Sequence, residues 1–199
     1  MENQRVVIVV HGFSSHRLWM HPICRRLASK QHLVVNWGYK SLFSPVKRHS
    51  ARLLQTIQRD FADYDQIDFV AHSMGSVIIR QMLHAHPLPN LGRMVFLTPP
   101  SQGAPLARLF SPLVGQVFRC LPDISTSTTS LVNQLPQSSP GPTGVIAARV
   151  DLLAPSSKTH IANETCHQTL LATHNSVLFS KQVAEMIHLF LSTGQFSSK

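Results

Sequence analysis

The chain has 199 residues, 43% of them hydrophobic and 14% charged, with a formal net charge of +9 and a pI near 10.2. That length and apolar content suit one globular domain, 1–199, with a sizeable core, and they exclude a disordered or coiled-coil protein. The basic residues are scattered singly or in pairs, as at Arg25-Arg26 and Lys47-Arg48, without a nucleic-acid motif, so the charge points to anionic surfaces such as phospholipid headgroups and not to nucleic acid.

In chain order, residues 2–5 are polar or charged, and the run "RVVIVVH" (5–11) is a continuous β-branched stretch of the kind a strand buried on both faces requires. A cleavable leader would have to remove that strand, so none is expected and the compartment expected is the cytoplasm. "GFSSH" (12–16) reads as a loop, with Ser14 or Ser15 capping a helix that aligns Trp19, Ile23 and Leu27. "LVVNWGY" (33–39) is a second strand. Ser44-Pro45 gives a cap and a first-turn proline, followed by a helix with Leu53, Leu54, Ile57 and Phe61 on one stripe.

"IDFVAH" (67–72) is a third strand, with a helix, "SVIIRQML" (76–83), directly after it. Further strands are read at 93–98, 144–150 and 169–173. The last helix is capped by Ser180, aligns Val183, Met186, Ile187, Phe190 and Leu191, and stops at Gly194. This alternation predicts an α/β fold of about six mostly parallel strands with helices on both faces. Residues 99–143 break the rhythm: they carry an amphipathic stretch (Leu106, Leu109, Phe110, Leu113) and polar loops, and are expected to form a small lid or cap. Cys24, Cys120 and Cys166 stand far apart with no CxxC, so neither a disulfide framework nor a metal site is expected.

"VAHSMGSV" (70–77) sets a serine between the third strand and its helix. A sharp strand-to-helix turn pushes its central side chain out beyond the sheet and needs small residues at distance two. Ala71 and Gly75 meet that need around Ser73, with His72 completing a nucleophile elbow, A-H-S-M-G. The acid and base are then sought downstream, beyond the carboxyl ends of strands. Of Asp123, Asp151 and Glu164, only Asp151 directly follows a strand. Of His160, His167, His174 and His188, only His174 does, with His160 a weaker rival. A serine hydroxyl is a poor nucleophile at neutral pH. His174 would accept its proton and Asp151 would orient the imidazole and stabilise its cation. Backbone N–H groups of Met74 and of Phe13, in the loop after the first strand, would form the oxyanion hole.

The stretches "VVIVVHGFSS", "VAHSMGSVI", "LTPPSQGAPLA" and "ARVDLLAP…THNSVLFSKQV" resemble bacterial lipases and esterases of the α/β-hydrolase superfamily. The elbow is most similar to that of small Bacillus-type lipases. The "TPPSQGAPLA" segment is similar to one in lipases and GPI-inositol-deacylase-like hydrolases. The resemblance implies a minimal α/β-hydrolase fold, with the nucleophile at Ser73, the acid at Asp151, the base at His174 and oxyanion donors at Phe13 and Met74. Pro99-Pro100, the Leu152 that follows Asp151, and Ser76 after Gly75 depart from the family's usual pattern. The activity expected is hydrolysis of a small-molecule or lipid ester with an apolar acyl part, its pocket lined by Phe13, Met74, Leu152 and Leu153. No cofactor is expected. An acyltransferase or thioesterase using the same residues, or a non-catalytic binding module, are the alternatives.

Overall fold

The computed structural model describes residues 4–28 and 33–197, so the polar start at residues 1–3 lies outside the described residues. Among them, six strands form one sheet in the order β2-β1-β3-β4-β5-β6, and every pairing is parallel. The strands are β1 (Arg5–Val10), β2 (Leu33–Trp37), β3 (Gln66–His72), β4 (Leu91–Leu97), β5 (Thr143–Val150) and β6 (Cys166–Thr173). The expected α/β fold is therefore present, with all six strands parallel.

Alternation along the strands divides the core in two. Val6, Ile8 and Val10 of β1, Phe69 and Ala71 of β3 and Met94 and Phe96 of β4 face one side. There they meet α2 (Val46–Asp60) and α3 (Met74–Ala85), through Leu53, Ile57, Val77 and Ile78. Val7, Val9, Val70, Val95 and Leu97 face the other side, against α1 (His21–Leu27) and α6 (Lys181–Thr193). Central strands buried on both faces explain why their sequences are continuous apolar runs. Edge strand β6 is half exposed, down to Leu171 at 85%.

The chain leaves β1 in one direction for β2 and returns past it to β3. That reversal opens a crevice beyond the carboxyl ends of β1 and β3, where ligands bind in open α/β sheets.

Several local expectations need correction. The turn after β1 is not capped by Ser14 or Ser15; His16 caps the 3-10 turn Arg17–Met20, accepting from the Leu18 N–H at 3.3 Å. Helix α2 begins one residue later than the Ser44-Pro45 reading, and its first N–H, at Val46, donates to Asp123 Oδ2 at 2.8 Å. A carboxylate 77 positions away thus does the work assigned to a local serine. Helix α3 starts at Met74, not Ser76, and β6 starts at Cys166, so His167 lies within the strand. The end of α6 follows the reading: Ser180 accepts from Val183 N–H at 3.3 Å, and Gly194 closes it at φ +82°.

The segment between β4 and β5 folds against the α2/α3 face. It contains α4 (Pro105–Val114) and the short α5 (Leu131–Gln134). Ala104, Ala107, Cys120, Leu121, Ile124 and Leu131 bury into the core. Arg80 of α3 clamps both ends of the segment, donating from Nη1 to the Ser101 carbonyl at 3.3 Å and from Nη2 to the Pro136 carbonyl at 2.8 Å.

Candidate active site

Ser73 occupies φ +51°, ψ −124°, between the last residue of β3 and the first of α3. A non-glycine residue held there is strained, and the surroundings must fix it. The Ser73 N–H donates to the Leu97 carbonyl of β4 at 2.9 Å. Its carbonyl accepts from both the N–H of Ser76, at 3.0 Å, and the Ser76 hydroxyl, at 2.7 Å. Ser76, a departure from the family's usual pattern, is thus a brace for the elbow.

The glycines around the turn are set by close approach. A Cβ on Gly75 would lie 2.6 Å from the Val10 carbonyl oxygen and 2.8 Å from that of His11. The backbone crowding position 75 therefore belongs to the end of β1, and not to the strand that precedes the serine. A Cβ on Gly12 would lie 2.9 Å from Ser73 Cβ. Ala71 is fully buried beneath the turn.

The loop after β1 is locked from the side of β2. The Tyr39 hydroxyl donates to the His11 carbonyl at 2.8 Å, and its ring stacks on the His11 imidazole at 4.2 Å. Burial pushes the Tyr39 phenol well above its ordinary range, so it stays a neutral donor, and burial lowers the His11 pKa. Among the described residues, neither the Phe13 nor the Met74 backbone N–H has a hydrogen-bond acceptor in the chain. Met74 follows Ser73 in the chain, and Phe13 lines the same cavity as Ser73.

His174 directly follows β6 and Asp151 directly follows β5. Their side chains meet at 2.7 Å, Nδ1 to Oδ2, with Asp151 buried and His174 9% exposed. The other carboxylate oxygen of Asp151 accepts from the N–H groups of Leu153 at 2.9 Å and Ala154 at 2.8 Å. Three hydrogen bonds to one carboxylate fix its orientation and stabilise its charge.

His72 supports His174 from below: its Nε2 donates to the His174 carbonyl at 2.9 Å, and the rings lie 4.8 Å apart. Burial drives the His72 pKa down to about 3, so the ring stays neutral. Ser73, His72 and His174 line one cavity of about 570 Å³. Among the described residues the Ser73 hydroxyl has no hydrogen-bond partner.

Residues 7–177 match the family model described as the alpha/beta hydrolase family. The chain belongs to that family. A comparison with curated protein sequences gives no match. Among solved structures, the hydrolase resembles lipase B of Aspergillus fumigatus, with a TM-score of 0.75 and 16% identity over 96% of this chain and 53% of that one. It resembles an esterase from Exiguobacterium antarcticum with a TM-score of 0.73 and 11% identity, covering 97% and 94%. It resembles phospholipase PlaB of Legionella pneumophila with a TM-score of 0.64 and 15% identity, covering 80% and 45%. The chain therefore spans under half of PlaB and about half of lipase B. At these identities the likeness concerns the fold.

Within this hydrolase the apolar lining differs from the sequence reading. Phe13 and Leu153 line the cavity. Met74 instead points into the core, and Leu152 is 80% exposed to solvent. Most of the apolar wall comes from the 99–143 segment: Leu106, Phe110, Val114, Phe118, Leu121 and Ile124. The amphipathic stripe was legible in the sequence, but not which of its residues turn inward. Leu106 and Phe110 do, whereas Leu109 and Leu113 also stay largely in solvent.

The rival acids and base are engaged elsewhere. Asp123 caps α2, and Glu164 Oε1 accepts from Nδ1 of both His160, at 2.7 Å, and His167, at 2.8 Å. Ligand atoms of this His160–Glu164–His167 group all lie within 4.8 Å of one another, a spacing that could hold a metal ion. The internal hydrogen bonds account for the grouping without one.

Proposed function

We propose that the chain is a carboxylic-ester hydrolase working through Ser73, His174 and Asp151. The observation that carries this reading is the convergence, at one cavity, of a strained Ser73 and an imidazole bonded at 2.7 Å to a buried carboxylate. His174 takes the Ser73 proton as Oγ attacks the ester carbonyl. The tetrahedral oxyanion is met by the N–H groups of Phe13 and Met74. His174 then returns the proton to the leaving alcohol, leaving an acyl-enzyme. Water, deprotonated by the same imidazole, completes the cycle. Asp151, held by two backbone N–H groups, stabilises the imidazolium in both halves. This chemistry requires no cofactor.

The apolar wall supports an acyl chain as the part of the substrate that enters the cavity, and α4 with the turns after it is the proposed lid. The nucleophile is not a thiol in this reading. Cys24 and Cys120 are buried, and burial pushes each up to about 12, far from thiolate formation at neutral pH. No helix among the described residues is long and apolar enough to cross a membrane. The unpaired cysteines support a reducing compartment, and we assign the enzyme to the cytoplasm.

The test is turnover of p-nitrophenyl esters from acetate to palmitate by the wild type and Ser73→Ala. The wild type is expected to be active and the variant to lose on the order of 10⁴-fold or more. Undiminished activity in the variant sinks the mechanism. Failure of a fluorophosphonate probe to label Ser73 would favour a binding module. Product analysis with competing alcohols and thiols separates hydrolysis from acyl transfer.

A further inference from the structure

A second cavity, of about 680 Å³, adjoins the first and shares Ser14, Ser15, Trp19 and Leu42 with it. The segment immediately after Phe13 is therefore a common wall, with Ser73 lining the first cavity. The two spaces differ in charge. The first is walled mostly by aliphatic and aromatic groups, whereas the second, beside Trp19, Tyr39, Leu42 and Phe43, carries His16, Arg17, Lys40 and Arg52, with Ser14, Ser15 and Ser41. Among the described residues, no carboxylate lines it.

These cations come from three separate segments: the turn after β1, the loop after β2, and α2. Arg5, Arg59 and Lys181 each meet a carboxylate. Among the described residues, Arg17, Lys40 and Arg52 form no ion pair. The position of Arg17 is also built. A Cβ on Gly38 would lie 3.0 Å from Arg17 Cδ and 3.7 Å from its Cγ, so a glycine lets the aliphatic stem lie flat against the backbone after β2. Three unpaired cations around one concavity repel each other, and an anion relieves that repulsion.

We propose that this second cavity receives a phosphate-type group on the substrate's alcohol portion, so that the preferred ester joins an apolar acyl chain to a phosphate-bearing alcohol. The inference rests on the ester-hydrolase reading above. With the ester carbonyl at Ser73, the acyl chain runs into the apolar space and the alcohol crosses the Ser14–Ser15 wall into the basic one. Two guanidinium forks, an ammonium and the hydroxyls of Ser14 and Ser15 offer more donors than the two oxygens of one carboxylate can accept; the Ser41 hydroxyl already donates to the Ser15 carbonyl at 3.1 Å. A phosphate monoester presents three oxygens and nearly two charges, and matches the set.

The test is direct binding to Ser73→Ala, which cannot turn the ligand over. Calorimetric titrations use 1-decanoylglycerol 3-phosphate, neutral 1-decanoylglycerol and inorganic phosphate, all below any micelle concentration. The phosphorylated lipid is expected to bind about tenfold or more tighter than the neutral one, with the advantage shrinking as salt rises. Adding Arg17→Gln or Arg52→Gln should weaken the phosphorylated lipid about fivefold and leave the neutral one unmoved. Lys40→Gln, at a third exposed position, provides an independent repeat. Equal affinity for the two lipids, or equal weakening of both by the variants, overturns the proposal. Inorganic phosphate binding as tightly as the phosphorylated lipid overturns it too, since the site would then serve free phosphate. A silent ester panel would sink the enzyme reading, whereas equal affinities here would sink only the headgroup assignment.

Discussion

At the scale of single residues, the site is governed by close approach and by neutrality enforced through burial. Gly75→Ala would drive a methyl into the carbonyls of Val10 and His11, and either the elbow or the end of β1 must retreat. We expect a loss of about 1–3 kcal/mol in urea unfolding, together with reduced kcat as Ser73 shifts relative to the Phe13 and Met74 N–H groups. An unchanged midpoint and rate would show that the turn has slack that the geometry denies. His49 shows the second effect. It is fully buried against Tyr39, their rings 4.6 Å apart, and neither ring nitrogen finds a partner of good hydrogen-bond geometry among the described residues. Burial lowers its pKa from 6.5 to about 4, and that of His72 to about 3. Below about pH 6.5 the unfolded chain takes up protons that the folded chain refuses, so stability falls with falling pH until the folded rings themselves titrate. His49→Phe removes one of these protons while keeping a ring in place. Its melting temperature should therefore drop less than the wild type's between pH 7 and pH 5. Parallel or steeper loss in the variant would show that His49 does not drive the dependence. The placement of Ser73, Asp151 and His174, the side chains proposed as catalytic, just beyond strand ends was legible in sequence because β-branched runs mark the strands. The brace from Ser76 and the support from His72 were not, because each depends on which atoms face each other across the turn.

At the scale of elements, the parallel sheet was readable from runs such as 5–11 and 67–72, whose composition reflects burial on both faces. Helix starts were less so. Asp123 caps α2 from 77 positions away, and local propensity has no access to such a contact. The 99–143 segment was visible as an interruption, but its inward wall could not be separated from its outward face, since an amphipathic period is silent about what each side meets. Arg80 is the element-level device that holds this segment down. It is 3% exposed, has no carboxylate partner among the described residues, and burial lowers its pKa to about 10, still charged at neutral pH. A buried cation balanced only by the Ser101 and Pro136 carbonyls is costly, and its removal relieves that cost while freeing the clamp. Arg80→Met should therefore change global stability little but loosen the segment. Limited proteolysis should cut within 125–142 faster, and amide exchange there should rise without a matching rise in β1 or β3. Uniform exchange changes across the sheet would mean that Arg80 supports the core and not the segment.

At the scale of the whole molecule, exposed apolar side chains stand at both cavities, and the basic one also carries Arg17, Lys40 and Arg52. Trp19, Phe43, Leu109, Phe110, Leu113, Val117, Leu152 and Phe179 are each 48% to 80% exposed. Trp19 and Phe110 line the Ser73 cavity, and Phe43 lines the basic one beside it. Trp19 also packs edge-on against Phe179 at 5.9 Å, and Phe43 stacks on Phe118 at 6.2 Å, so the exposed aromatic rings at the two cavities are paired. Together with the net charge of +9, this supports contact with an anionic lipid surface that presents the mouth of the cavity to ester lipids. Binding to vesicles containing phosphatidylglycerol should exceed binding to phosphatidylcholine vesicles and weaken as salt is raised through physiological strength, because exposed charges are screened over ~8–10 Å there. Leu113→Glu, at 79% exposure, places a negative charge on the exposed face of α4 outside the cavity lining. It should cut vesicle binding several-fold and leave p-nitrophenyl acetate hydrolysis unchanged, since that soluble ester needs no surface. Equal, salt-independent rates on neutral and anionic vesicles would remove the surface role and confine the positive charge to the cavity bordered by Arg17, Lys40 and Arg52.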